Sequence, residues 1–207
     1  MDVTIVIIVI TVIISIMAWN NYSLMDRWIL NPYQVSNRGQ YYRLLTSGFL
    51  HADWGHLLFN MLSLYFFGSF IERVFTMLFG ASGPIVLIGF YLVAILVSDI
   101  PSYLKHRTNP GYNSLGASGG VSAIIFATII VSPLTEICLY FALCIPGFIF
   151  GVLYLGYSYY ESRRGASNVN HDAHFYGALF GVLFVIIVYP SALPRFFEQI
   201  SSWRLFQ

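Results

Sequence analysis

The feature that most constrains this chain is a succession of six long apolar stretches separated by more polar segments. A membrane-spanning helix requires about 20 mainly apolar residues, and these stretches approach or reach that length. They occupy residues 3–19, 54–71, 81–99, 117–132, 136–158 and 173–190. Their many β-branched residues would favour strands in a soluble protein, but a bilayer requires each segment to satisfy its own backbone hydrogen bonds. The pattern therefore predicts an all-α membrane protein, a bundle of six transmembrane helices in a single polytopic domain over residues 1–207.

The amino-acid composition excludes an ordinary soluble domain. Hydrophobic residues make up 57% of the chain and charged residues 9%, whereas charged residues form about 25% of a typical soluble domain. A net charge of +1 is not the basic excess of nucleic-acid-binding proteins, so no nucleic-acid partner is expected. Cys138 and Cys144 are too few for a disulfide framework and match no metal-binding spacing, so we expect them to be buried thiols.

The first apolar stretch has the length of a signal peptide and needs a separate test. A signal peptide begins with a positively charged region and ends at a small-residue cleavage site. Here the first basic residue is Arg27, and no A-x-A sequence follows the stretch. We therefore expect residues 3–19 to be a retained transmembrane helix.

The links between the apolar stretches alternate in length. Long polar links cover residues 20–53, 100–116 and 159–172, after the first, third and fifth stretches. Short links cover residues 72–80 and 132–136. In a bundle that crosses the membrane six times, the long links lie on one face, and the second, fourth and sixth helices all begin there.

Four polar residues lie near the starts of those three helices. His56 and Asn60 are four residues apart, so they share one face of the second helix. Ser118 begins the fourth helix within NSLGASGGVSAI, and His174 enters the sixth within HDAHFYGALFG. Each lies within about two helical turns of the same membrane face, so the four side chains are expected at a similar depth. Ionisable residues inside membrane helices are functional candidates by default.

These residue types are those of a serine hydrolase. A serine hydroxyl becomes a nucleophile when a base within hydrogen-bond distance takes its proton, and His174 can be that base for Ser118. The oxyanion that forms requires preorganised donors, which His56, Asn60 and the free backbone N–H of Ser118 can provide. Asp172 lies two residues before His174 and points to another face of the helix, so a Ser–His dyad is expected rather than a triad.

Small residues allow the fourth and sixth helices to approach each other closely. The small-residue seam of the sixth helix consists of Ala173, Gly177 and Gly181. We expect Gly120 to be the matching small position on the fourth helix. Gly116 would allow the turn into that helix, and Gly119 and Gly120 would keep bulk away from Ser118. Each motif alone is typical of helix packing, but their occurrence together at one depth favours catalysis.

The histidines suggest one alternative, a metal site. Four of them are candidate ligands: His51, His56, His171 and His174. However, the chain contains no H-E-x-x-H motif, and no carboxylate follows either histidine pair at a ligand-like helical spacing. Neither a metal nor a cofactor is therefore expected.

In the order and combination of its motifs, the chain resembles the rhomboid family of intramembrane serine proteases, in its minimal six-helix form. The resemblance covers nearly everything from about Tyr41 to Tyr189. The motifs that carry it are YYR (41–43), HADWGHLLFN (51–60), ER (72–73), GASG (116–119) and AHFYGALFG (173–181).

The resemblance implies a role for each matching residue. Ser118 would be the nucleophile and His174 the general base, while the family's oxyanion-stabilising pair corresponds to His56 and Asn60. The remaining matches, His51 and Arg43, would organise the first loop and the hydrogen bonds of the cavity. Substrates would be transmembrane proteins cleaved within the lipid bilayer, residues 159–172 a mobile cap, and the fifth helix a lateral gate.

Two positions depart from the family pattern. Tyr42 stands before Arg43, where the family typically has tryptophan, so the anchoring of the first loop is expected to differ. Some members carry an aromatic residue four positions after the serine, where it stacks on the catalytic histidine. Here that position is Ser122, which leaves the orientation of the His174 ring without its usual support.

Two signals disagree on the orientation of the chain in the membrane. The resemblance implies a bacterial plasma membrane, with the active site on the extracytoplasmic side. The face of the long links carries seven basic residues: Arg27, Arg38, Arg43, Lys105, Arg107, Arg163 and Arg164. The opposite face carries three: Arg73, Arg195 and Arg204. The positive-inside rule would therefore place the active site in the cytoplasm. Because these counts are small, we follow the resemblance and expect the active site on the extracytoplasmic side.

Two other functions compete with proteolysis. The first is a catalytically silent, rhomboid-like protein that binds membrane helices, although such pseudoproteases typically lose the serine or the histidine, and this chain has both. The second is a transporter or proton channel, which predicts ionisable residues near the bilayer centre and interrupted helices in both halves. The polar residues here lie toward one face, which favours the protease.

Overall fold

The apolar stretches fold into helices, and the computed structural model describes residues 2–139, 143–165 and 169–203 of the chain. Within these residues, the α-helices are α1 Val3–Trp19, α2 Tyr22–Trp28, α3 Pro32–Arg38, α4 Arg43–Thr46, α5 Trp54–Ser63, α6 Ser69–Phe79, α7 Gly83–His106, α8 Ser118–Val131, α9 Gly147–Arg164, α10 His171–Val188 and α11 Ala192–Ser202. The strands are β1 Glu136–Leu139 and β2 Leu143–Pro146. The described part of the chain is therefore mostly helical, as predicted.

The second and third apolar stretches form longer helices than predicted. α5 continues through a π-helical segment, Leu64–Gly68, into α6. Gly80, with φ of 58°, then turns the chain toward α7 in a conformation that favours glycine. α7 extends past Pro101 to His106, so the polar link predicted over 100–116 begins later. The polar residues of this extension indicate a loop in the sequence, but in the structure Ser102 Oγ donates a hydrogen bond to Asn170 Oδ1 at 2.9 Å and the helix continues.

The start of α1 is held by a carboxylate from α6. Glu72 accepts hydrogen bonds from the backbone N–H of Val3 at 2.8 Å and of Thr4 at 2.9 Å, and from Thr4 Oγ1 at 2.7 Å. The first N–H groups of a helix have no partner within the helix, and a negative charge there also complements the helix dipole. Glu72 therefore acts as a remote cap that fastens α1 to the bundle.

The fifth apolar stretch is not one helix, as predicted, but a hairpin followed by α9. β1 and β2 pair antiparallel, and Cys138 lies directly opposite Cys144. The two sulfur atoms form a disulfide, and both residues are exposed, so the prediction of buried thiols was wrong. Cys138 and Cys144 face each other because the chain forms a hairpin here. The prediction assumed a continuous helix, in which residues six apart are not neighbours, and so gave no reason to expect a disulfide. Pro146, which has no backbone N–H, precedes the start of α9.

α8 lies at the centre of the fold, with nearly all of its residues buried. It packs against α10 along a seam of small residues. A Cβ built on Gly177 would lie 2.2 Å from the carbonyl oxygen of Gly119, and one on Gly181 would lie 2.1 Å from that of Ala123. Because a larger residue at either glycine would collide with backbone, the seam predicted on α10 is present.

The partner of that seam on α8 differs from the prediction. Gly120 does not face α10; a Cβ there would meet the ring of Tyr91 at 2.8 Å and Ile95 at 3.0 Å, both on α7. Gly119, one residue earlier, makes the contact with α10. A Cβ on Gly119 would also lie 2.1 Å from Ser98 Oγ on α7. Both glycines therefore let α8 approach α7, and Gly119 in addition contacts α10.

By length and hydropathy, two helical stretches of the described residues can cross a membrane, Trp54–His106 and His171–Val188, and α1 and α8 are apolar but shorter. The structure thus supports a helical fold, and the number of six transmembrane helices stays a prediction. The short helices α2, α3 and α4 and the later helix α11 were not predicted. α11 places Phe196 against the core and leaves Phe197 exposed, so it is amphipathic.

Candidate active site

The segment before α5 is tied to α1 by a fully buried histidine. His51 Nδ1 lies 2.9 Å from Ser15 Oγ, whose hydrogen is donated to the carbonyl of Phe49. The Nδ1–H must therefore be the donor to Ser15, which leaves Nε2 as an unprotonated acceptor. Trp19 Nε1 donates to the carbonyl of His51 at 2.7 Å. Burial lowers the pKa of His51 to about 3, with a further contribution from His56, so the ring is neutral.

His56 lies in the first turn of α5, between His51 and the segment before α8. Its backbone N–H donates to Asp53 Oδ1 at 2.8 Å, a capping bond that starts the helix. Its ring packs edge-on against that of His51, with centroids 4.9 Å apart. Asn60, one turn later and almost fully buried, donates from Nδ2 to the carbonyl of His56 at 2.9 Å. The Asn60 amide therefore has a second hydrogen that this bond does not use.

Gly116 is the point at which the imidazole of His56 and the hydroxyl of Ser118 come together. A Cβ built on Gly116 would lie 2.7 Å from His56 Nε2 and 3.8 Å from Ser118 Oγ. The φ of Gly116 is 126°, and its N–H donates to the carbonyl of Ser47 at 3.0 Å. Position 116 therefore requires glycine for two reasons: its backbone conformation favours glycine, and the His56 ring occupies the space that a side chain would need.

Ser118 and His174 are carried by the two helices that share the small-residue seam. Ser118 is the first residue of α8, and its neighbour Gly119 lies against Ala173, the neighbour of His174; a Cβ there would be 3.5 Å from the Ala173 carbonyl. The described structure contains no hydrogen bond between the Ser118 and His174 side chains. Catalytic hydrogen bonds are often long without substrate and tighten in the complex.

The ring of His174 lies between two other rings. Tyr154 of α9 stacks on it, with centroids 6.0 Å apart and planes inclined by 19°. His171 meets it edge-on at 5.8 Å. Tyr154 could not be predicted from the sequence, because it is one of several tyrosines in YLGYSYY (154–160) and no local pattern distinguishes it.

His171 and Asp172, which come just before His174 in the chain, have different surroundings. His171 is buried, and neither of its ring nitrogens has a hydrogen-bond partner in the described structure. Asp172 forms an ion pair with Lys105 at 3.3 Å and accepts a hydrogen bond from Ser162 Oγ. The carboxylate of Asp172 is therefore bound by residues of α7 and α9.

Arg43 lies in the link between α1 and α5, and its side chain is almost fully buried. Its Nη1 donates to the carbonyls of Asp26 at 2.6 Å and Ile29 at 2.8 Å, and its Nε donates to Gln40 Oε1 at 2.6 Å. The guanidinium also lies 5.8 Å from the centroid of the Tyr42 ring. One charged group thus holds several turns of the link together.

Comparison with known proteins decides the family. The Rhomboid domain matches residues 38–191, which include all the residues of the predicted site. The chain belongs to the rhomboid family. Members of this family are embedded in membranes, and serine proteases are among them.

Several individual rhomboids are similar to this chain. RHOMBOID-like protein 12, mitochondrial, of Arabidopsis thaliana is 31% identical over 74% of this chain and 49% of its own length. Rhomboid-like protein 17, chloroplastic, of the same plant is 30% identical over 83% of this chain and 56% of its own length. Rhomboid protease GluP of Bacillus subtilis (strain 168) is 35% identical over 46% of this chain and 17% of its own length.

This rhomboid thus spans about half the length of the two plant relatives. Their names place them in mitochondria and chloroplasts, so the comparisons do not support the bacterial plasma membrane that the resemblance implied.

Proposed function

We propose that this rhomboid is an intramembrane serine endopeptidase with Ser118 as nucleophile and His174 as general base. The observation that carries the proposal is the convergence at Gly116, where the His56 ring and the Ser118 hydroxyl meet around one point. The contact of Gly119 with Ala173 brings the helix of His174 to the same place. A nucleophile, a base and a donor at one site are the parts that acyl transfer needs.

The reaction follows from the chemistry of these groups. Ser118 Oγ attacks the carbonyl carbon of the scissile peptide while His174 accepts the hydroxyl proton. The oxyanion of the tetrahedral intermediate is stabilised by the His56 ring, by the free amide hydrogen of Asn60 and by the Ser118 N–H. Collapse breaks the C–N bond, and His174 donates its proton to the departing amine. Water then attacks the acyl ester, with His174 again taking the proton, to release the acid and restore Ser118.

The substrate class follows from where the site lies. All four side chains lie near the starts of α5, α8 and α10, within helices that we propose cross the membrane as part of a single six-span domain. The substrate is then a transmembrane segment whose own helical hydrogen bonds cover its scissile carbonyl. We expect cleavage where small or helix-weakening residues allow that segment to unwind. The cap proposed over residues 159–172 includes residues 166–168, which lie outside the described residues.

Cleavage of a model transmembrane substrate in liposomes tests the proposal. The wild-type chain should cleave it, and Ser118→Ala and His174→Ala should each reduce the rate by at least about a thousandfold. A fluorophosphonate probe should label the wild type and not Ser118→Ala. The exposed serine Ser201 on α11 offers the control, because Ser201→Ala should change neither result. Normal cleavage by both dyad variants would refute the proposal.

The same experiment distinguishes the alternative, a rhomboid-like pseudoprotease that binds membrane helices. Such a protein would capture the model substrate in the liposome without cleaving it, and its Ser118 would resist the probe. Binding of the substrate by wild type and Ser118→Ala alike, with no cleavage and no labelling, would therefore establish the pseudoprotease.

A further inference from the structure

We infer that Tyr154 is a positioning residue for the predicted base, holding the His174 ring in place from α9. The inference rests on the proposed function, because it concerns the orientation of the base in that reaction. Its starting point is the contact between the rings of Tyr154 and His174, together with the hydrogen bond between Tyr154 and Ser122.

The ring of Tyr154 lies beside that of His174 and presents its face to it. The two rings are close to parallel, inclined by 19° with centroids 6.0 Å apart, which is within the range of offset-stacked aromatic pairs. Two other rings hold Tyr154 itself: Phe150 stacks on it at 5.4 Å, and Phe126 lies at 5.7 Å. The tyrosine is thus fixed within a cluster to which α8, α9 and α10 all contribute.

A hydrogen bond connects this ring to the helix of the nucleophile. Tyr154 Oη and Ser122 Oγ lie 2.9 Å apart, and Ser122 is buried. Ser122 follows Ser118 by four residues, so both lie on the same face of α8. The hydroxyl group of Ser122 therefore anchors the ring of Tyr154, which comes from another helix.

His174 has a particular need for such support. In serine hydrolases a third group commonly orients the base, and here the nearby carboxylate of Asp172 is bound to Lys105 and Ser162 instead. In the described structure the His174 ring nitrogens have no hydrogen-bond partner, so its orientation depends on ring contacts. The stacked face of Tyr154 and the edge of His171 are the two that the structure provides.

The test separates the ring of Tyr154 from its hydroxyl group. Tyr154→Leu removes both, Tyr154→Phe removes only the hydroxyl, and Ser122→Ala removes only the anchor. Tyr22→Leu is the matched control, since Tyr22 on α2 is exposed and lies outside the proposed cap and gate. For Tyr154→Leu we expect kcat to fall by about tenfold or more, which corresponds to about 1.4 kcal/mol, with KM within about twofold.

The remaining variants should form a consistent pattern. Tyr154→Phe and Ser122→Ala should each lower kcat by about threefold, and the double variant should be no worse than either, because both remove the same bond. In Tyr154→Leu the pH profile of kcat should also shift, because the environment of the base has changed. Tyr22→Leu should match the wild type in every measurement.

Two results would overturn the inference. One is an unchanged kcat and pH profile in Tyr154→Leu. The other is a lower activity explained entirely by a smaller folded fraction, with the remaining molecules showing the wild-type pH profile. Titration of the His174 ring by NMR in micelles gives a readout that does not depend on catalysis. If wild-type Ser118 fails to react with the fluorophosphonate probe, the proposed function fails, whereas a shifted His174 titration in Tyr154→Leu would still report the contact.

Discussion

The imidazole of His56 lies directly against Gly116: a methyl group added at Gly116 would come within 2.6 Å of its Cε1 and 2.7 Å of its Nε2. Because Gly116 also has a φ of 126°, two independent constraints keep this position free of any side chain. The contact joins the start of α5 to the segment that leads into Ser118. The position of the His56 ring, a proposed oxyanion donor, therefore depends on Gly116, which lies outside both α5 and α8.

The first prediction concerns Gly116→Ala. The new methyl group must displace the His56 ring, so cleavage should fall by about a hundredfold, the loss typical of removing one oxyanion donor. The backbone strain should also cost about 1–3 kcal/mol of stability. The measurements are the cleavage rate in liposomes and thermal unfolding. Gly111→Ala in the same segment is the control, since its Cβ would meet only Asn109 Oδ1 at 3.5 Å. Wild-type activity in Gly116→Ala would contradict the role given to His56.

The second prediction concerns the seam between α8 and α10. Gly177→Ala places a methyl group 2.2 Å from the backbone of Gly119, so the helices must separate. We expect a loss of about 1–3 kcal/mol, typical of overpacking, together with reduced cleavage because Ser118 and His174 move apart. Gly156→Ala on α9 meets nothing within 4 Å and should be neutral or slightly stabilising. Equal melting temperatures for the two variants in detergent would contradict the close approach of the helices.

The third prediction concerns the cap that Glu72 forms on α1. Glu72→Ala leaves three donors without their carboxylate. Hydrogen bonds to charged groups contribute about 1.5–3 kcal/mol each, so a total loss of at least about 2 kcal/mol is expected. Thermal unfolding measures that loss, and limited proteolysis should show earlier cleavage near residue 20. Glu198→Ala, an exposed acidic residue on α11, should leave both measurements unchanged.

The fourth prediction concerns the disulfide between Cys138 and Cys144. In native membranes a maleimide reagent should add no label before reduction and two labels after it, since the chain has two cysteines. Cys138→Ser should accept one label on Cys144 without reductant. Labelling of the untreated wild type would contradict the disulfide.

The disulfide also bears on orientation in the membrane. It lies beyond the end of α8 opposite Ser118, a distance of about 20 Å for a helix of 14 residues. Disulfides persist in oxidising compartments, so the active-site face is expected to lie on the reducing side. This favours the orientation indicated by the basic residues over the one implied by the family resemblance. Maleimide labelling of a single cysteine introduced at Gly111, in sealed vesicles, checks this independently.

Much of the candidate site could be predicted from the sequence. In a membrane bundle, the depth of a residue follows from its distance in residues from the start of its helix. The alternation of long and short links placed His56, Asn60, Ser118 and His174 near one face, and the structure puts these residues near the starts of α5, α8 and α10. The ends of the helices were harder to predict from the sequence. Polar residues such as Ser102 indicate a loop in the sequence, whereas in the structure they bond to other helices and the helix continues.

What the sequence by itself determined was the helical class of the fold, because hydropathy and residue spacing act along one helix at a time. The chemistry and the depth of each group stay predictions from the same patterns. What only the tertiary structure decided was which face meets which neighbour. Gly119, rather than Gly120, meets α10, and Tyr154, distant in sequence from both His174 and Ser122, contacts both. Such contacts depend on the rotation of each helix about its axis, and that rotation is set by the packing of the whole bundle.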